Sequence, residues 1–189
     1  IFYEISMKLM LKNIKILLFV FISLIGVINC KSVSSMNYEI SVNNENHFIN
    51  PKNPNYTLEI FRDKYAKIVK DNFDKTHVVL VDNKETFVLK FIHKLGVDEE
   101  FEDQGQEELI YLSINNNLKK ISLTNDSLTE VGAIFGRLCF CKEDIGYYPI
   151  ERGKLNFKKS ISNQFHLTFS FQIDNIQQNT NSINAKFSF

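Results

Sequence analysis

The chain has 189 residues, with 22 basic and 22 acidic side chains, and therefore a formal net charge of zero at pH 7. A neutral chain offers no strong basic surface for nucleic acid, so we expect no nucleic-acid partner. Three cysteines are not the even, widely spaced set of a disulfide-stabilised exported domain, so the fold must depend on a hydrophobic core. Residues 1–6 precede the first methionine, Met7, and are interpreted as upstream translation.

Residues 7–30 have the layout of a secretory signal peptide. Lys8, Lys12 and Lys15 form a positive flank, and an apolar run over residues 16–28 follows. This run has 13 residues, whereas a membrane-spanning helix needs about 20. We therefore expect the segment to direct export and then to be removed.

The end of this segment, Val27-Ile28-Asn29-Cys30, resembles the lipobox of bacterial lipoproteins, although Asn29 replaces the small residue that usually precedes the cysteine. The resemblance covers residues 7–30. It implies that Cys30 becomes the first mature residue, carries a lipid, and holds the protein in a bacterial cell envelope. The residue after the cysteine is Lys31 rather than Asp, which by resemblance to Gram-negative lipoproteins permits transfer to an outer membrane. The alternative is cleavage after Ser35, which would release a soluble secreted protein.

Residues 31–55 are polar, rich in Asn and Ser, and contain Pro51 and Pro54. This composition predicts a flexible tether with one short strand over residues 38–42. Residues 56–189 are then predicted to form a single domain. Residues 1–30 hold three lysines and one glutamate, so their removal leaves a formal charge of about −2.

The first part of this domain predicts two strands of a hairpin, a third strand and a helix. Residues 56–62 and 65–70 are rich in β-formers and flank Asp63-Lys64, while residues 77–81 suit a buried strand. A capping pattern at 82–85 and the terminating Gly96 predict a helix over 83–95. The apolar residues at helical spacing are Phe87, Val88, Phe91, Ile92 and Leu95.

The pattern of two strands and a helix then repeats. Residues 109–114 and 118–123 predict a second hairpin, joined by the three asparagines at 115–117. Ser127 and Glu130 match a capping box, and apolar residues along one face predict a helix over 127–141. These apolar residues are Leu128, Val131, Phe135, Leu138 and Cys139.

The C-terminal residues alternate strictly between apolar and polar over 165–174 and 182–189. This period predicts strands with one buried and one wet face. With residues 154–157 they form a predicted three-stranded antiparallel addition. The sequence therefore predicts an α+β fold, in which two strand–strand–helix units and a C-terminal antiparallel β addition place their helices on one face of the sheet.

The chemistry-bearing residues do not form a recognisable catalytic or metal-binding motif. On a helix Cys139 and Cys141 point about 200° apart and cannot share a bond or an ion, although a strand would place them on one face. The four histidines are scattered, and nucleotide-binding and nucleophile motifs are absent from the sequence. We therefore predict no catalytic residue, no cofactor and no metal.

Two surfaces are candidates for interaction. The segment 98–108 holds seven carboxylates, which would face a basic partner. The candidate residues in it are Glu99, Glu100, Glu102 and Asp103. The second surface is the polar face of the last strands, where His166 is the candidate.

The expected function is non-catalytic binding in the cell envelope, with contact to the membrane through the N-terminal lipid. We expect the protein to bind a protein partner, either as an immunity-type lipoprotein that occupies the active site of a toxin or as an envelope assembly factor. Two alternatives stay open. One is a small envelope hydrolase that uses His166, Asp174 and the acidic segment, and the other is a small-molecule or lipid-binding protein with a cavity of roughly several hundred Å³.

Overall fold

The computed structural model describes residues 38–42, 55–96, 105–139, 144–174 and 176–188. Within these ranges the chain forms ten strands and one 3-10 helix, Asn125–Val131. The strands are β1 (Tyr38–Val42), β2 (Tyr56–Lys70), β3 (Thr76–Leu95), β4 (Gln106–Asn115), β5 (Lys120–Thr124), β6 (Ile134–Leu138), β7 (Gly146–Pro149), β8 (Arg152–Lys159), β9 (Gln164–Gln172) and β10 (Ser182–Ser188). A helix long and apolar enough to cross a membrane is not found among the described residues.

The strands form two five-stranded antiparallel sheets, with the order β1-β10-β9-β8-β5 in sheet A and β2-β3-β4-β6-β7 in sheet B. The inward side chains of both sheets form one core. The Phe87 ring of sheet B lies 5.9 Å from Phe165 and 6.3 Å from Phe157 of sheet A, and Phe135 lies 6.2 Å from Phe171, between ring centroids. The fold is therefore a β-sandwich. The described residues from 38 onward form one compact unit around this core, and a chain of this length is large enough to fold on its own.

The long hairpin of β2 and β3 bends near its middle. Its register pairs Arg62 with Phe87 and Lys64 with Asp82, so one residue of β2 opposes four residues of β3. That residue, Asp63, has a φ of 56° in the left-handed region. An irregularity of this kind bends the strand and increases its twist, so the end of the hairpin leaves the plane of the sheet.

The end of this hairpin, residues 64–82, lies across the outer face of sheet B, and we call it the fold-back hairpin. The backbone N–H of Ala66 donates to Ser113 Oγ of β4 at 3.0 Å. The backbone N–H of Tyr147 in β7 donates to Thr76 Oγ1 at 2.8 Å. A second apolar cluster is enclosed beneath the hairpin, comprising Ala66, Val88, Leu109, Tyr111 and Ile134. Sheet B is consequently buried on both faces.

The predicted α+β fold is wrong, because the first predicted helix, over 83–95, belongs to strand β3. Phe87, Leu89 and Phe91 face the core between the sheets, whereas Val88 and Ile92 face the fold-back hairpin. A strand that is buried on both faces has an almost continuous run of apolar residues. Such a run contains matches to helical spacing as well as to strand spacing, and this ambiguity produced the wrong prediction.

The second predicted helix, over 127–141, is also wrong. Residues Asn125–Val131 form a 3-10 helix that ends at Gly132, which has a φ of 50°, and β6 follows. The residue that caps the N-terminus of this helix is Thr124, whose backbone N–H donates to Ser127 Oγ at 3.0 Å. Gly136 lies in β6, where an added Cβ would come within 2.5 Å of the Tyr147 ring.

Both predicted hairpins differ from the structure as well. Asp63-Lys64 lies within the single strand β2 rather than in a turn. The strands predicted over 109–114 and 118–123 exist as β4 and β5, but they lie in different sheets. The asparagines at 115–117 therefore connect the two layers of the sandwich.

The C-terminal part of the prediction is confirmed. Strands β8, β9 and β10 form an antiparallel set in sheet A, with alternate residues buried. The short strand predicted over 38–42 is β1, which pairs with β10 and completes the edge of the sheet. Sheet A thus has one face in the core and an outer face open to solvent.

Candidate functional site

The outer face of sheet A carries polar side chains in rows that run across its strands. The register places Asn184 of β10 beside Thr168 of β9, Thr168 beside Asn156 of β8, and Asn156 beside Ser122 of β5. Ser122 Oγ donates to Asn156 Oδ1 at 2.8 Å, and Asn156 Nδ2 donates to Thr168 Oγ1 at 3.4 Å. These four residues, the polar row, form a continuous surface of hydroxyl and amide groups.

A row of basic side chains lies next to the polar row, toward the β8–β9 turn. The register aligns Lys120, Lys158, His166 and Lys186, which we call the basic row. Lys186 lies 3.5 Å from the Glu39 carboxylate, whereas Lys120 and Lys158 form no ion pair with a residue in the described ranges. Like charges directly opposite each other destabilise a sheet, so stability does not explain this arrangement.

A groove lies on the other side of the polar row. Its first part has a volume of about 180 Å³ and includes Lys154, Thr168 and Asn184 in its lining. Its second part, of about 630 Å³, continues past Arg152 toward the β9–β10 loop. Ser170 and Ser182 line both parts, so they form one continuous sheet A groove. The described residues that line it carry hydroxyl, amide, cationic and apolar groups and include no carboxylate.

One wall of this groove is the loop between β9 and β10, which Glu108 of β4 holds in place. Glu108 is fully buried. Its carboxylate accepts hydrogen bonds from the backbone N–H of Asn179 at 2.6 Å, from Asn179 Nδ2 at 3.0 Å and from the backbone N–H of Thr180 at 2.7 Å. Gln178, which lines the groove, accepts from the backbone N–H of Ile173 at 2.6 Å. A carboxylate of sheet B thereby fixes the shape of a groove on sheet A.

His93 of β3 belongs to the same buried polar cluster. Its ring stacks on Tyr56 at 4.2 Å between centroids, and its Nδ1 lies 2.8 Å from Thr180 Oγ1. Burial lowers the pKa of His93, and the nearby Glu108 carboxylate opposes this effect in part. The cavity beside His93 and Thr180, between the sheets, has a volume of about 10 Å³. A substrate cannot reach this histidine, so its role is to hold the loop.

Among the predicted interaction residues, His166 is described and lies exposed in the basic row. Its Nε2 lies 3.0 Å from Asn184 Oδ1, and no carboxylate of the described part lies within hydrogen-bond distance of its ring. Asp174, the other residue of the hydrolase hypothesis, pairs with Arg152 at the opposite end of β9. The structure therefore does not bring His166 and Asp174 together.

The remaining predicted residues, Glu99, Glu100, Glu102, Asp103 and Cys30, lie outside the described residues. The polar row and the sheet A groove were missed at the sequence level. Strand alternation identifies Thr168 and Asn184 as outward residues, but it cannot show that Asn156 and Ser122 lie beside them. That information resides in the pairing of β8 with β5 and β9.

Cys139 lies directly after β6 and is disulfide-bonded. The prediction that Cys139 cannot form a disulfide assumed that it lies on a helix, and no helix forms at this residue. Cys141 and Cys30 lie outside the described residues. The described ranges contain no group of three or more His, Cys, Asp or Glu residues that could hold a metal ion.

Comparison with known proteins gives no match to a protein family, to a curated protein or to a solved structure. These comparisons therefore do not indicate what the sheet A groove binds.

Proposed function

We propose that this protein is an exported lipoprotein of a bacterial cell envelope that acts by non-catalytic binding, and that it binds an acidic glycan in the sheet A groove. The observation that carries the proposal is the composition of the groove. It presents hydroxyl, amide and cationic groups on a regular sheet, and its described lining includes no carboxylate. The envelope location is inferred from the signal-like residues 7–30 and from the lipobox resemblance at Cys30.

A glycan matches these groups chemically. Each sugar hydroxyl both donates and accepts hydrogen bonds, as do the side chains of Asn156, Thr168 and Ser170. Lys154 supplies positive charge for a carboxylate or sulfate on the sugar, whereas the guanidinium of Arg152 at the other end of the groove is already paired with Asp174. Adjacent strands are about 4.8 Å apart, so the four strands of the polar row offer contacts over about 14 Å. The second part of the groove has a volume of about 630 Å³ and is widely open to solvent, so a ligand would lie along the sheet rather than in an enclosed cavity.

The same surface is a poor match to protein or nucleic-acid partners. The centres of protein interfaces are enriched in aromatic residues and depleted of Lys and Ser. Single-stranded nucleic acid binds by stacking its bases on exposed aromatic rings. The phenylalanines of sheet A all point into the core, where Phe157, Phe165, Phe169, Phe171 and Phe187 are buried.

The other candidate functions have less support. Binding of a toxin or an assembly partner through the acidic segment depends on Glu99 to Asp103, which lie outside the described residues. Hydrolysis through His166 lacks a nearby carboxylate in the described part of the chain. Lipid binding between the sheets would require a far larger cavity than the space of about 10 Å³ beside His93.

The glycan proposal is tested on an array of uronic-acid, sulfated and neutral glycans, followed by calorimetry with the tightest ligand. We expect binding to acidic glycans and about tenfold weaker binding by Lys154→Glu, because the variant repels the anionic group. The matched control is Lys67→Glu, which makes the same charge change on the exposed side of the fold-back hairpin. Absence of binding to every acidic glycan, or equal losses in both variants, would contradict the proposal.

The anchor is tested by expressing the chain from Met7 in a bacterium that processes lipoproteins. The intact mass of the mature product should correspond to a chain that begins at Cys30 and carries acyl groups, and Cys30→Ala should abolish this product. An unlipidated product cut after Ser35 would show that the protein is secreted without an anchor.

A further inference from the structure

We infer that the end of the sandwich around the β8–β9 turn docks on an anionic lipid bilayer. Ile161 lies at the apex of this turn with its side chain fully exposed, at 107% of its reference area. Five lysines lie around the same end of sheet A. They are Lys119, Lys120, Lys158, Lys159 and Lys186, and we call them, with Ile161, the lysine-ringed apex.

The turn holds Ile161 outward through its own hydrogen bonds. The backbone N–H of Ser160 donates to the Gln164 carbonyl at 2.7 Å, and that of Asn163 donates to the Ser160 carbonyl at 3.2 Å. The hydroxyls of Ser160 and Ser162 lie 3.0 Å apart. The turn is held by these backbone and serine contacts, and the Ile161 side chain is fully exposed rather than packed against it. It is in position to enter the boundary between lipid headgroups and acyl chains.

The lysines lie at the same end of the sheet as the apex. Lys158 is the register partner of Lys120, and the backbone N–H of Lys159 donates to the Lys119 carbonyl at 2.8 Å. The one carboxylate paired with this group in the described residues is Glu39, 3.5 Å from Lys186. A basic residue near an anionic membrane increases binding by about fivefold. An apolar apex within several unneutralised lysines therefore matches a bilayer with anionic headgroups.

A second apex of the sandwich also exposes an apolar side chain, but it lacks the surrounding lysines. Phe73, at the tip of the fold-back hairpin, is 83% exposed. Its flanking residues have mixed charge, because Asp71 and Asp74 accompany Lys70 and Lys75. This tip has no excess of positive charge and serves as the matched control.

The direction of the chain agrees with this docking surface. Strand β1 begins beside the end of β10, where Tyr38 pairs with Phe187, at the same end of sheet A as the β8–β9 turn. Residues 31–37 separate Tyr38 from Cys30, and the eight steps between these two Cα atoms span at most about 29 Å. A lipid at Cys30 would therefore keep the lysine-ringed apex close to the membrane. This last step rests on the proposed anchor, whereas the docking surface itself does not.

Binding is tested with residues 31–189, prepared without lipid, by co-sedimentation with vesicles. The vesicles contain either phosphatidylcholine alone or equal amounts of phosphatidylcholine and phosphatidylglycerol. We expect binding to the anionic vesicles that weakens with added salt. Ile161→Ser should reduce the partition coefficient about tenfold through the loss of apolar burial. The double variant Lys120→Glu, Lys158→Glu should reduce it at least about twentyfold.

The controls make the same changes at the other apex, as Phe73→Ser and as the double variant Lys70→Glu, Lys75→Glu. Both should bind like the unmodified chain. Absence of binding to anionic vesicles, equal binding to neutral vesicles, or equal losses at the two apices would overturn the inference. Because the preparation carries no lipid and no glycan is present, the outcome is independent of the anchor and of the sheet A groove.

Discussion

The two sheets of the sandwich differ in how their outer faces are used. The outer face of sheet B carries apolar residues such as Val88 and Leu109, and the fold-back hairpin covers them. The outer face of sheet A carries Asn156, Thr168 and Asn184, and of these Asn156 and Asn184 are exposed to solvent. The contrast teaches that one outer face contributes to stability through burial, while the other stays open to solvent in the described part of the chain. Substitutions on the two faces should therefore have different consequences.

The largest effect should come from shortening an apolar side chain beneath the fold-back hairpin. Leu109 is 3% exposed, so Leu109→Ala should lower the free energy of unfolding by about 3 kcal/mol through lost burial and the cavity left behind. Thr168→Ala on sheet A should change it by less than about 0.5 kcal/mol. Urea unfolding of both variants measures the difference. Equal changes would show that the two outer faces do not differ as described.

The next effect concerns the carboxylate that joins sheet B to the wall of the sheet A groove. Glu108→Ala removes three hydrogen bonds and leaves the backbone N–H groups of Asn179 and Thr180 without their acceptor. We expect a loss of about 2.5 kcal/mol of stability, faster hydrogen exchange at the Thr180 amide, and weaker glycan binding. Glu107→Gln, on the neighbouring residue, should cost less than about 1 kcal/mol because its ion pair with Lys94 is partly exposed.

A smaller effect should report directly on the attachment of the fold-back hairpin. Ser113→Ala leaves the backbone N–H of Ala66 buried without its acceptor, which should cost about 1.5 kcal/mol. Hydrogen exchange of residues 64–70 should become faster. Ser122→Ala removes a similar hydroxyl from the exposed polar row and should leave stability within about 0.5 kcal/mol. Unchanged exchange in the Ser113 variant would contradict the packing of the hairpin on sheet B.

The smallest effect is a dependence of stability on pH. Burial lowers the pKa of His93 in the folded protein below its ordinary value of 6.5, so the unfolded chain takes up this proton at a higher pH. The free energy of unfolding should therefore be greatest above about pH 6.5 and fall as the pH decreases toward the folded value, by at most about 1.4 kcal/mol per pH unit. His93→Gln should remove this part of the slope, and His77→Gln, at an exposed position, should retain it. A slope that is the same in both variants would contradict this role.

The difference between the two sheets also explains how far the sequence predicts the structure. Strands β9 and β10 were predicted because one face is buried and the other open, so that the alternation of Phe165 to Ile173 is visible in the sequence. Strand β3 was predicted in two parts. Residues 77–81 were correctly predicted as a strand, whereas residues 83–95 were predicted as a helix because both faces are buried there and Phe87 to Ile92 are nearly all apolar. The cover that buries the second face is the fold-back hairpin, and its position depends on contacts with β4 and β7.

The candidate site was predictable only in part, for a related reason. The outward position of His166 follows from the alternation along β9. The neighbours that give the surface its chemistry, Asn156 and Ser122, lie on β8 and β5, and the chain between these two strands passes through sheet B. Asn156 and Ser122 lie side by side because β8 and β5 pair over a long sequence separation, and local sequence patterns do not predict such pairing.

The most direct test of this account is an NMR titration of the amide signals of residues 31–189 with the tightest acidic glycan from the array. We expect chemical-shift changes in β8, β9 and β10 and in the β9–β10 loop, centred on Asn156, Ser170 and Asn184, with the fold-back hairpin unaffected. Changes concentrated in the fold-back hairpin, or in the acidic segment 98–108, would contradict the claim that the open outer face of sheet A is the binding surface.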